Sequence, residues 1–436
     1  MSRPAIVMAA FVLVTIHTPP HLTAQPTVTE QSSGTDQVLQ AISPVSEETV
    51  WVSGHAGIIL RTLDGGSAWE RIAAPAGDSL QFRDIHGFSS ESAVGLTAGE
   101  GPLSRIYRTE DTGGSWTLAF LMEEPAGFLD CLDFWDDRRG FAYGDSFDGV
   151  PYILLTGDGG RSWARVSAEA APAANEGEGG FAASGTCARA GSGGLGWIGT
   201  GAGGSARVLM TRDYGQTWTA ADTPLAKGAA AGIFTLAVHR PDSPVSGDPL
   251  TFADRPPMMA LGGDLDRREE VVAGNAAVTL DGGRSWELAS PAPINGAVYG
   301  SAAGGTGANR RVVAVAPPGA AYTGDMGESW TVLPDVSAWA VEFAPGGRVG
   351  WAGGAGRGSG GSSGRVLPTR ARRNRRRDGT ACTDTAAHPR QSVDKADRAP
   401  RAVRRRAGKA RRKVNSRAIR PRSNAERSLG VTECIL

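Results

Sequence analysis

The chain has 436 residues, with 61 Gly and 11 Trp, and turn residues separate its short apolar runs. This length allows one large domain or two to three ordinary ones, and the pattern favours an all-β protein with many tight turns. The formal net charge of zero is unevenly distributed. Residues 357–436 contain 23 basic and 6 acidic residues, a net charge of +17, which leaves −17 on residues 1–356. The composition therefore excludes a uniformly neutral chain.

The N-terminus has the pattern of an export signal. Arg3 precedes the apolar run Ala5–Ile16, and a Pro-containing stretch ends at Ala24. The run is shorter than the roughly 20 residues that span a bilayer, and a small residue ends the stretch. We predict a signal peptide over residues 1–24 and export to the periplasm, the thylakoid lumen or the extracellular space, with no membrane anchor after cleavage. A membrane anchor or a buried N-terminal segment is the alternative.

An eight-residue unit, T-x-D-x-G-x-(S/T/A)-W, recurs six times. Successive Trp residues of the unit are 47, 47, 55, 68 and 44 positions apart, a spacing typical of one propeller blade per repeat. Thr and Asp side chains at this spacing bond nearby backbone groups and close a turn, and the Gly adopts backbone angles that other residues resist. We assign a structural role to the Asp and Trp of each unit: Asp64 and Trp69, Asp111 and Trp116, Asp158 and Trp163, Asp213 and Trp218, Asp281 and Trp286, and Asp325 and Trp330.

Each unit joins the third and fourth of four short strand-like runs. In the first repeat these runs are VLQAI, VWVSG, GIIL and WERI. Four antiparallel strands in about 45 residues match one blade of a β-propeller. We therefore predict a seven-bladed propeller over residues 25–356. Its last blade is incomplete: Ala338–Phe343 and Arg348–Gly354 supply two strands, Gly364–Thr369 is a candidate third, and the early segment TVTE is a candidate outer strand.

The four cysteines are Cys131, Cys187, Cys382 and Cys434. They form no CxxC motif and no Cys/His cluster at zinc spacing, so we predict neither a metal site nor a cofactor. Cys131 and Cys187 each lie nine residues before the Gly that begins the next strand-like run, so they hold equivalent places in successive repeats. Equal register permits a disulfide in an oxidising compartment but does not establish its geometry.

Residues 357–436 form an Arg-rich tail that includes RARRNRRR and RAVRRRAGKARRK. Its low apolar content predicts disorder. Such runs can bind nucleic acid or anionic lipid through charge alone. No aromatic residues are interleaved to stack on bases, so we expect no nucleic-acid partner. The repeat stops abruptly near Arg357, which a shifted reading frame would also produce. A genuine tail and a reading-frame artefact both remain open.

The repeated unit is identified as the Asp-box, or BNR repeat. The wider pattern VWVSGHAGIILRTLDGGSAW resembles the photosystem II stability/assembly factor family and related exported bacterial propellers. The resemblance covers roughly residues 38–356 and rests on all six boxes. It implies a non-enzymatic seven-bladed propeller that binds precursor subunits of a membrane complex. The chain departs from the family in its acidic body, where the family has a basic patch, and in its Arg-rich tail.

Asp-boxes also occur in sialidases and other glycosidases, which makes a sialidase-like glycoside hydrolase the alternative function. Sialidase catalysis needs three Arg, a Tyr nucleophile with a Glu partner, and an Asp acid. The F/Y-R-I-P motif of that family is absent, and none of the six Tyr has an acidic partner recognisable from sequence. The acidic run Glu123–Asp137 leaves a two-carboxylate glycosidase open, against the simpler interpretation of a solvated rim. We therefore predict no catalytic residues.

Two predicted first strands carry polar residues. FRDIHGF and LDCLDF align as the first strands of successive blades. Their polar side chains are candidates for binding at the mouth of the central channel, with inter-blade hydrogen bonds and salt bridges as the alternative role. The candidates are Arg83, Asp84, His86, Asp130 and Asp133. Together these patterns predict a monomeric, exported, non-catalytic scaffold that binds a protein partner, with subunits of a membrane complex as the expected class.

Overall fold

The computed structural model describes residues 26–239, 255–354 and 432–435. The chain divides into two units, residues 1–371 with 428–436 and residues 372–427, and every described residue belongs to the first. The predicted signal peptide, the candidate strand Gly364–Thr369 and most of the Arg-rich tail lie outside the described residues. Their interpretations stay predictions.

The described residues form 29 short strands. The first is β1 (Thr27–Glu30). Blade 1 contains β2 (Leu39–Pro44), β3 (Val50–Gly54), β4 (Ile59–Thr62) and β5 (Glu70–Arg71). Blade 2 contains β6 (Phe82–Gly87), β7 (Ala93–Thr97), β8 (Arg105–Thr109) and β9 (Thr117–Leu121). Blade 3 contains β10 (Leu129–Phe134), β11 (Gly140–Phe147), β12 (Val150–Thr156) and β13 (Ala164–Arg165).

The second half of the ring follows the same plan. Blade 4 contains β14 (Ala188–Ala190), β15 (Gly196–Gly199), β17 (Arg207–Thr211) and β18 (Thr219–Asp222), and the intervening β16 (Gly201–Gly203) joins the next sheet. Blade 5 adds to β16 the strands β19 (Gly228–Val238), β20 (Met258–Asp264), β21 (Ala276–Thr279) and β22 (Glu287–Leu288). Blade 6 contains β23 (Gly300–Gly304), β24 (Arg311–Ala316), β25 (Gly319–Thr323) and β26 (Thr331–Leu333). Three further strands are β27 (Ala340–Phe343), β28 (Val349–Gly353) and β29 (Thr432–Ile435).

All strand pairs are antiparallel, so the all-β propeller class is confirmed. The helices of the described residues are single 3₁₀ turns: Gly77–Ser79, Gly101–Leu103, Ala168–Ala170, Ser192–Gly194 and Gly307–Asn309. None of them is long and apolar enough to cross a membrane.

The prediction of seven blades is wrong, and the structure has six. Six sheets each include a repeated turn, and their strands follow one another along the chain except that β16 joins the sheet of blade 5. Residues 338–354 supply only β27 and β28, and they carry no such turn. These strands are completed from the two ends of the chain, in the order β27–β28–β29–β1, which we call the terminal sheet. β1 is the TVTE segment, at the outer position predicted for it.

The innermost strands form a closed ring. The first long strand of each blade contacts that of the next, in the order β2, β6, β10, β14, β19 and β23. β27 lies between β23 and β2, so the terminal sheet fills the space between blades 6 and 1. Closure removes long free edges, and facing sheets bury the apolar side chains of both faces. Trp51, Ile59 and Phe82, for example, are fully buried between blades 1 and 2.

The repeated turns, here called box turns, repeat one hydrogen-bond network. In the third, Thr156 Oγ1 donates to Asp158 Oδ1 at 2.8 Å, and the Gly160 N–H donates to Thr156 Oγ1 at 2.9 Å. Ser162 donates its N–H to Asp158 Oδ1 and its hydroxyl to Oδ2, at 3.0 and 2.7 Å. The same Thr, Asp and Gly contacts recur in the other five turns. The fifth-position Gly has φ between +75° and +92° in all six, which explains why Gly stands there.

A disulfide joins Cys131 in blade 3 to Cys187 at the start of blade 4, with Cα atoms 6.0 Å apart. Both sulfurs belong to buried residues. The equal register of the two cysteines in successive repeats therefore does correspond to a bond, which fastens two neighbouring innermost strands. Extracellular and periplasmic compartments favour such bonds.

Candidate functional site

The ring has two faces that carry different chain connections. On one face, the box turns of blades 1 to 4 lie beside the connection between the first and second strands of their own blade. The Gly65 N–H donates to the Glu48 carbonyl at 2.9 Å, and the Gly159 N–H donates to the Arg138 carbonyl at 2.7 Å. We call this the box-turn face. The opposite face, where the first strands begin, is the entry face.

Asp84 bonds neighbouring blades together. Its Oδ1 accepts the N–H of Ile85 and its Oδ2 accepts the N–H of Leu132 in blade 3, both at 2.7 Å. Asp133 repeats the arrangement one blade further: Oδ1 accepts the N–H of Phe134 at 2.7 Å and Oδ2 that of Ala190 at 2.8 Å. Both carboxyl groups therefore act as inter-blade braces, which is the alternative role considered for them.

His86 adds a third polar group to this brace. Its Nδ1 lies 3.5 Å from Asp133 Oδ1, and its ring packs 4.7 Å from that of Phe134 and 4.9 Å from that of Phe88. Burial raises the pKa of Asp84 well above its usual range, although the two backbone N–H groups oppose the rise. Asp84, His86 and Asp133 are thus brought together, towards the box-turn face.

The other two candidates lie towards the entry face. Arg83 donates to the Ala182 carbonyl at 3.0 Å and to Gln81 Oε1 at 2.8 Å. Asp130 is fully buried, and burial together with the nearby carboxylate of Asp145 raises its pKa well above the usual range. Its Oδ2 accepts no hydrogen bond among the described residues. The five predicted residues therefore form two groups on the neighbouring strands β6 and β10, one towards each face of the ring.

The residues Gly179–Thr186, here called the channel segment, fill the centre of the ring. The segment bonds to five blades. From blades 1 and 2, Gln40 Nε2 donates to the Ala183 carbonyl at 3.4 Å and Arg83 donates to the Ala182 carbonyl at 3.0 Å. Towards blades 3, 5 and 6, the Gly180 N–H donates to Asp145 Oδ1 at 2.9 Å, Thr186 Oγ1 lies 2.7 Å from Thr235 Oγ1, and Ser184 Oγ donates to the Tyr299 carbonyl at 2.7 Å. Only a segment inside the ring reaches blades 1, 2, 3, 5 and 6 at once. The sequence analysis did not predict it, because its partners are far away along the chain.

The box-turn face carries two adjoining cavities of about 380 and 420 Å³. The half-buried ion pair between Arg189 and Glu342 lines both. Arg189 also donates to the carbonyl groups of Leu236 and Ser301, both at 2.8 Å. Burial disfavours its charge, but the Glu342, Asp133 and Asp84 carboxylates outweigh that effect and raise the pKa of Arg189. We call the two cavities together the groove.

The entry face carries a row of aromatic rings, here called the aromatic arc. It consists of His55, Trp339, Tyr299, Phe234 and Phe181. Phe181 stacks on Phe234 with centroids 3.8 Å apart, and Trp339 meets Tyr299 edge-to-face at 5.0 Å. All but Phe234 are half-buried. Neither Tyr299 Oη nor Trp339 Nε1 has a hydrogen bond within the described part of the chain. The sequence analysis missed this arc. The signal that could have indicated it is the aromatic residue directly before each of the strands β23 and β27.

One Tyr–Glu pair was also missed by the sequence analysis. Tyr152 Oη donates to Glu124 Oε2 at 3.1 Å, and the Arg165 guanidinium lies 4.2 Å from the Tyr152 ring centroid and 3.9 Å from Glu124. Burial, and then the Glu124 charge, raise the pKa of Tyr152 to about 12. Tyr152 belongs to the third strand of blade 3, so the pair lies away from the innermost strands.

Across the described ranges, no cluster of three or more His, Cys, Asp and Glu side chains is arranged to hold a metal ion. No family model matches the sequence, and no curated protein matches it. Among solved structures, YCF48 bound to D1 peptide is similar at 15% identity over 81% of this chain and 100% of that chain, with a TM-score of 0.49. YCF48 from Cyanidioschyzon merolae has 15% identity over 78% of this chain and 99% of that chain, with a TM-score of 0.48.

A third similar structure is the GH74 enzyme of Niastella koreensis, at 15% identity over 76% of this chain and 36% of that chain, with a TM-score of 0.37. All three TM-scores are below 0.5, so these similarities carry no inference about function. The contacts described above are therefore the basis for the functional argument.

Proposed function

We propose that this protein is an exported, non-catalytic scaffold that binds a protein partner, and that subunits of a membrane complex are that partner. The observation that carries the proposal is the filled channel. The channel segment bonds to five blades, and Asp84 and Asp133 spend their carboxylate oxygens on backbone N–H groups. A catalytic pair built on Asp84 and Asp133 would need uncommitted carboxylate oxygens.

The aromatic arc is the surface that we propose for the partner. Trp and Tyr dominate the energetics of protein interfaces, because they combine a large apolar ring with a polar tip. The arc draws rings from blades 1, 5 and 6, from the terminal sheet and from the channel segment, so the fold gathers them at one mouth. The likeness of the repeated unit to the photosystem II stability/assembly factor family supports a membrane-complex partner, and the buried disulfide supports export.

The sialidase-like alternative has one observation in its favour, the pair formed by Tyr152 and Glu124. A tyrosine nucleophile must lose its proton, and a phenol with a pKa of about 12 keeps it at neutral pH. Arg165 is the only Arg in contact with the pair within the described residues, whereas that chemistry needs three. The geometry therefore favours a scaffold.

The test is capture of membrane proteins from the host by the full chain, read by mass spectrometry. Wild-type protein is compared with Trp339→Ala and Tyr299→Ala, and with Trp116→Ala as a matched aromatic truncation in a box turn. We expect the wild type and Trp116→Ala to enrich one set of complex subunits, and both arc variants to lose that set. Cooperative thermal unfolding of all three variants is the control for folding. Equal capture by every variant would refute the arc as the surface. Hydrolysis of a glycoside by the wild type would refute the non-catalytic scaffold.

A further inference from the structure

We propose that the groove on the box-turn face binds an extended segment of a partner protein through one basic side chain, arginine above all, that is flanked by apolar side chains. The groove lies on the face opposite the aromatic arc, so this inference stands independently of the surface proposed above. Four features carry it: the shape of the groove, its apolar surface, the state of its only arginine, and its remaining charges.

The groove has the dimensions of a side-chain site. Its two cavities, of about 380 and 420 Å³, adjoin at the Arg189–Glu342 pair and share Phe343 and Pro345. Binding pockets for small groups begin at roughly 300 Å³. The Ser184–Thr186 end of the channel segment, which lies at the centre of the ring, lines the cavity of about 380 Å³ beside Asp133. A ligand therefore reaches the groove from the box-turn face.

Apolar side chains line this space from several blades. Val45, Phe88 and Trp135 are half-buried at its edge, and Phe134 and Phe343 are buried beneath. The Trp135 ring is braced from below, since its Nε1 donates to the Leu195 carbonyl and it packs 4.7 Å from Phe141. Aromatic and aliphatic surface of this kind binds the apolar neighbours of a recognised residue.

Arg189 is the only arginine among the described residues that line the groove, and three of its five N–H donors are already bonded within the protein. The guanidinium of Arg189 donates to Glu342, to the Leu236 carbonyl and to the Ser301 carbonyl. Its charge is neutralised by Glu342. An anionic ligand would therefore meet several carboxylates around a guanidinium whose charge is already paired, which disfavours phosphate-like or acidic partners at this site.

Of the carboxylates in the groove, Asp137 remains to receive a cation. Asp84, Asp133, Asp136 and Glu342 also line the groove, but Asp84 and Asp133 each accept two backbone N–H groups. Asp136 is paired with Arg139 and Glu342 with Arg189, whereas exposed Asp137 forms no ion pair within the described residues.

Arginine suits this groove better than lysine. A guanidinium is planar and weakly hydrated, and it stacks on aromatic rings while it bonds carboxylates. The same face already contains arginine–aromatic contacts. Arg108 lies 4.9 Å from the Phe88 ring centroid, and Arg139 lies 3.5 Å from the Tyr214 ring centroid. A partner arginine between Trp135 and Asp137 would repeat an arrangement that the face uses for its own residues.

The test uses the full chain and two labelled decapeptides that differ at one residue. One has a central Leu-Arg-Leu, and the other has citrulline in place of the arginine. Citrulline keeps the shape and removes the charge. We expect the arginine probe to bind about tenfold more tightly than the citrulline probe in fluorescence polarisation, which corresponds to about 1.4 kcal/mol. Asp137→Asn should weaken the arginine probe about fivefold, the effect of one neighbouring charge near a surface, and leave the citrulline probe unchanged.

The matched control is Asp266→Asn, an equally exposed acid on a different connection, which should change neither affinity by more than about twofold. Because both Asp137 and Asp266 are exposed, neither variant threatens the fold. The proposal is overturned if the two probes bind equally, if neither binds at concentrations up to about 1 mM, or if Asp266→Asn weakens the arginine probe as much as Asp137→Asn does. If the arc variants lose capture of the membrane proteins but still bind the arginine probe, the groove site is supported. If the arc variants lose capture but the wild type does not prefer the arginine probe, only the groove site is refuted.

Discussion

Oδ2 of Asp84 in blade 2 accepts the backbone N–H of Leu132 in blade 3 at 2.7 Å. One blade further, Oδ2 of Asp133 accepts the N–H of Ala190 at 2.8 Å. Ser43 and Thr235 accept the N–H groups of Gly87 and Ser301 in the same way, at 2.9 and 2.8 Å. Short polar side chains on the innermost strands therefore join successive blades where the sheets share no ladder hydrogen bonds. The polar residues at the centre of the ring stabilise the fold.

Asp84→Ala should reduce the free energy of unfolding by about 1–3 kcal/mol, because it leaves the buried N–H groups of Ile85 and Leu132 without an acceptor. Relief of the buried carboxyl group offsets part of this cost. Urea denaturation at pH 7 measures the change. Exposed Asp137→Ala, on the same face, should cost less than about 0.5 kcal/mol. Equal effects of the two substitutions would show that Asp84 does not brace the blades.

Because Asp130 is buried, we expect it to lower the free energy of unfolding as the pH rises. Burial raises the pKa of Asp130 in the folded protein well above the value of about 3.9 expected when unfolded. The contribution of this group is therefore fully present below the unfolded pKa and is lost as the pH rises through the folded pKa. Between the two values the loss approaches about 1.4 kcal/mol per pH unit. Asp130→Asn should remove this dependence, so its stability relative to the wild type should increase from pH 4 to pH 8. Parallel stability curves over that range would contradict the assignment.

The disulfide should contribute about 2–4 kcal/mol, because it closes a long loop in the unfolded chain. The bond joins residues 56 positions apart. The double substitution Cys131→Ala with Cys187→Ala should lower the free energy of unfolding by that amount, measured by urea denaturation under non-reducing conditions. Wild type unfolded in the presence of a strong reductant should approach the variant. A difference below about 0.5 kcal/mol would mean that the bond does not constrain the ring.

The parts of the fold that the sequence predicted are local. Thr156, Asp158 and Gly160 bond one another across four residues, so a short pattern was enough to place the turn and to count the repeats. The channel segment bonds to residues up to 143 positions away, as from Gln40 to Ala183, and no short pattern encodes that. The count of seven blades failed for the same reason, because β27 and β28 are completed by strands from the two ends of the chain.

Box-turn carboxylates predict the opposite pH dependence, at acid pH. Partial burial tends to raise the pKa of Asp158. Hydrogen bonds from the hydroxyl and N–H of Ser162, and then from Thr156, outweigh burial and lower this pKa to about 2. Stability from this group is present above the unfolded pKa of about 3.9 and is lost as the pH falls through about 2. Asp158→Asn should therefore be less stable than the wild type at pH 6, with the gap closing towards pH 2. Thermal unfolding across that range tests it, and a gap that stays constant would rule the carboxylate out as the cause.

Gly180 should be intolerant of a methyl group, because the channel segment passes so close to Asp130. A Cβ at Gly180 would lie 2.3 Å from Asp130 Oδ2, whereas one at Gly204 would have nothing within 4 Å. Overpacking of a buried site costs about 1–3 kcal/mol, so Gly180→Ala should lower the free energy of unfolding by that amount. Gly204→Ala should be neutral or stabilising by up to about 1 kcal/mol, since its backbone conformation suits Ala. Hydrogen exchange locates the effect: faster exchange of Gly180 to Thr186 in the first variant alone is expected. Equal exchange in both variants would mean that the position of the channel segment does not depend on this contact.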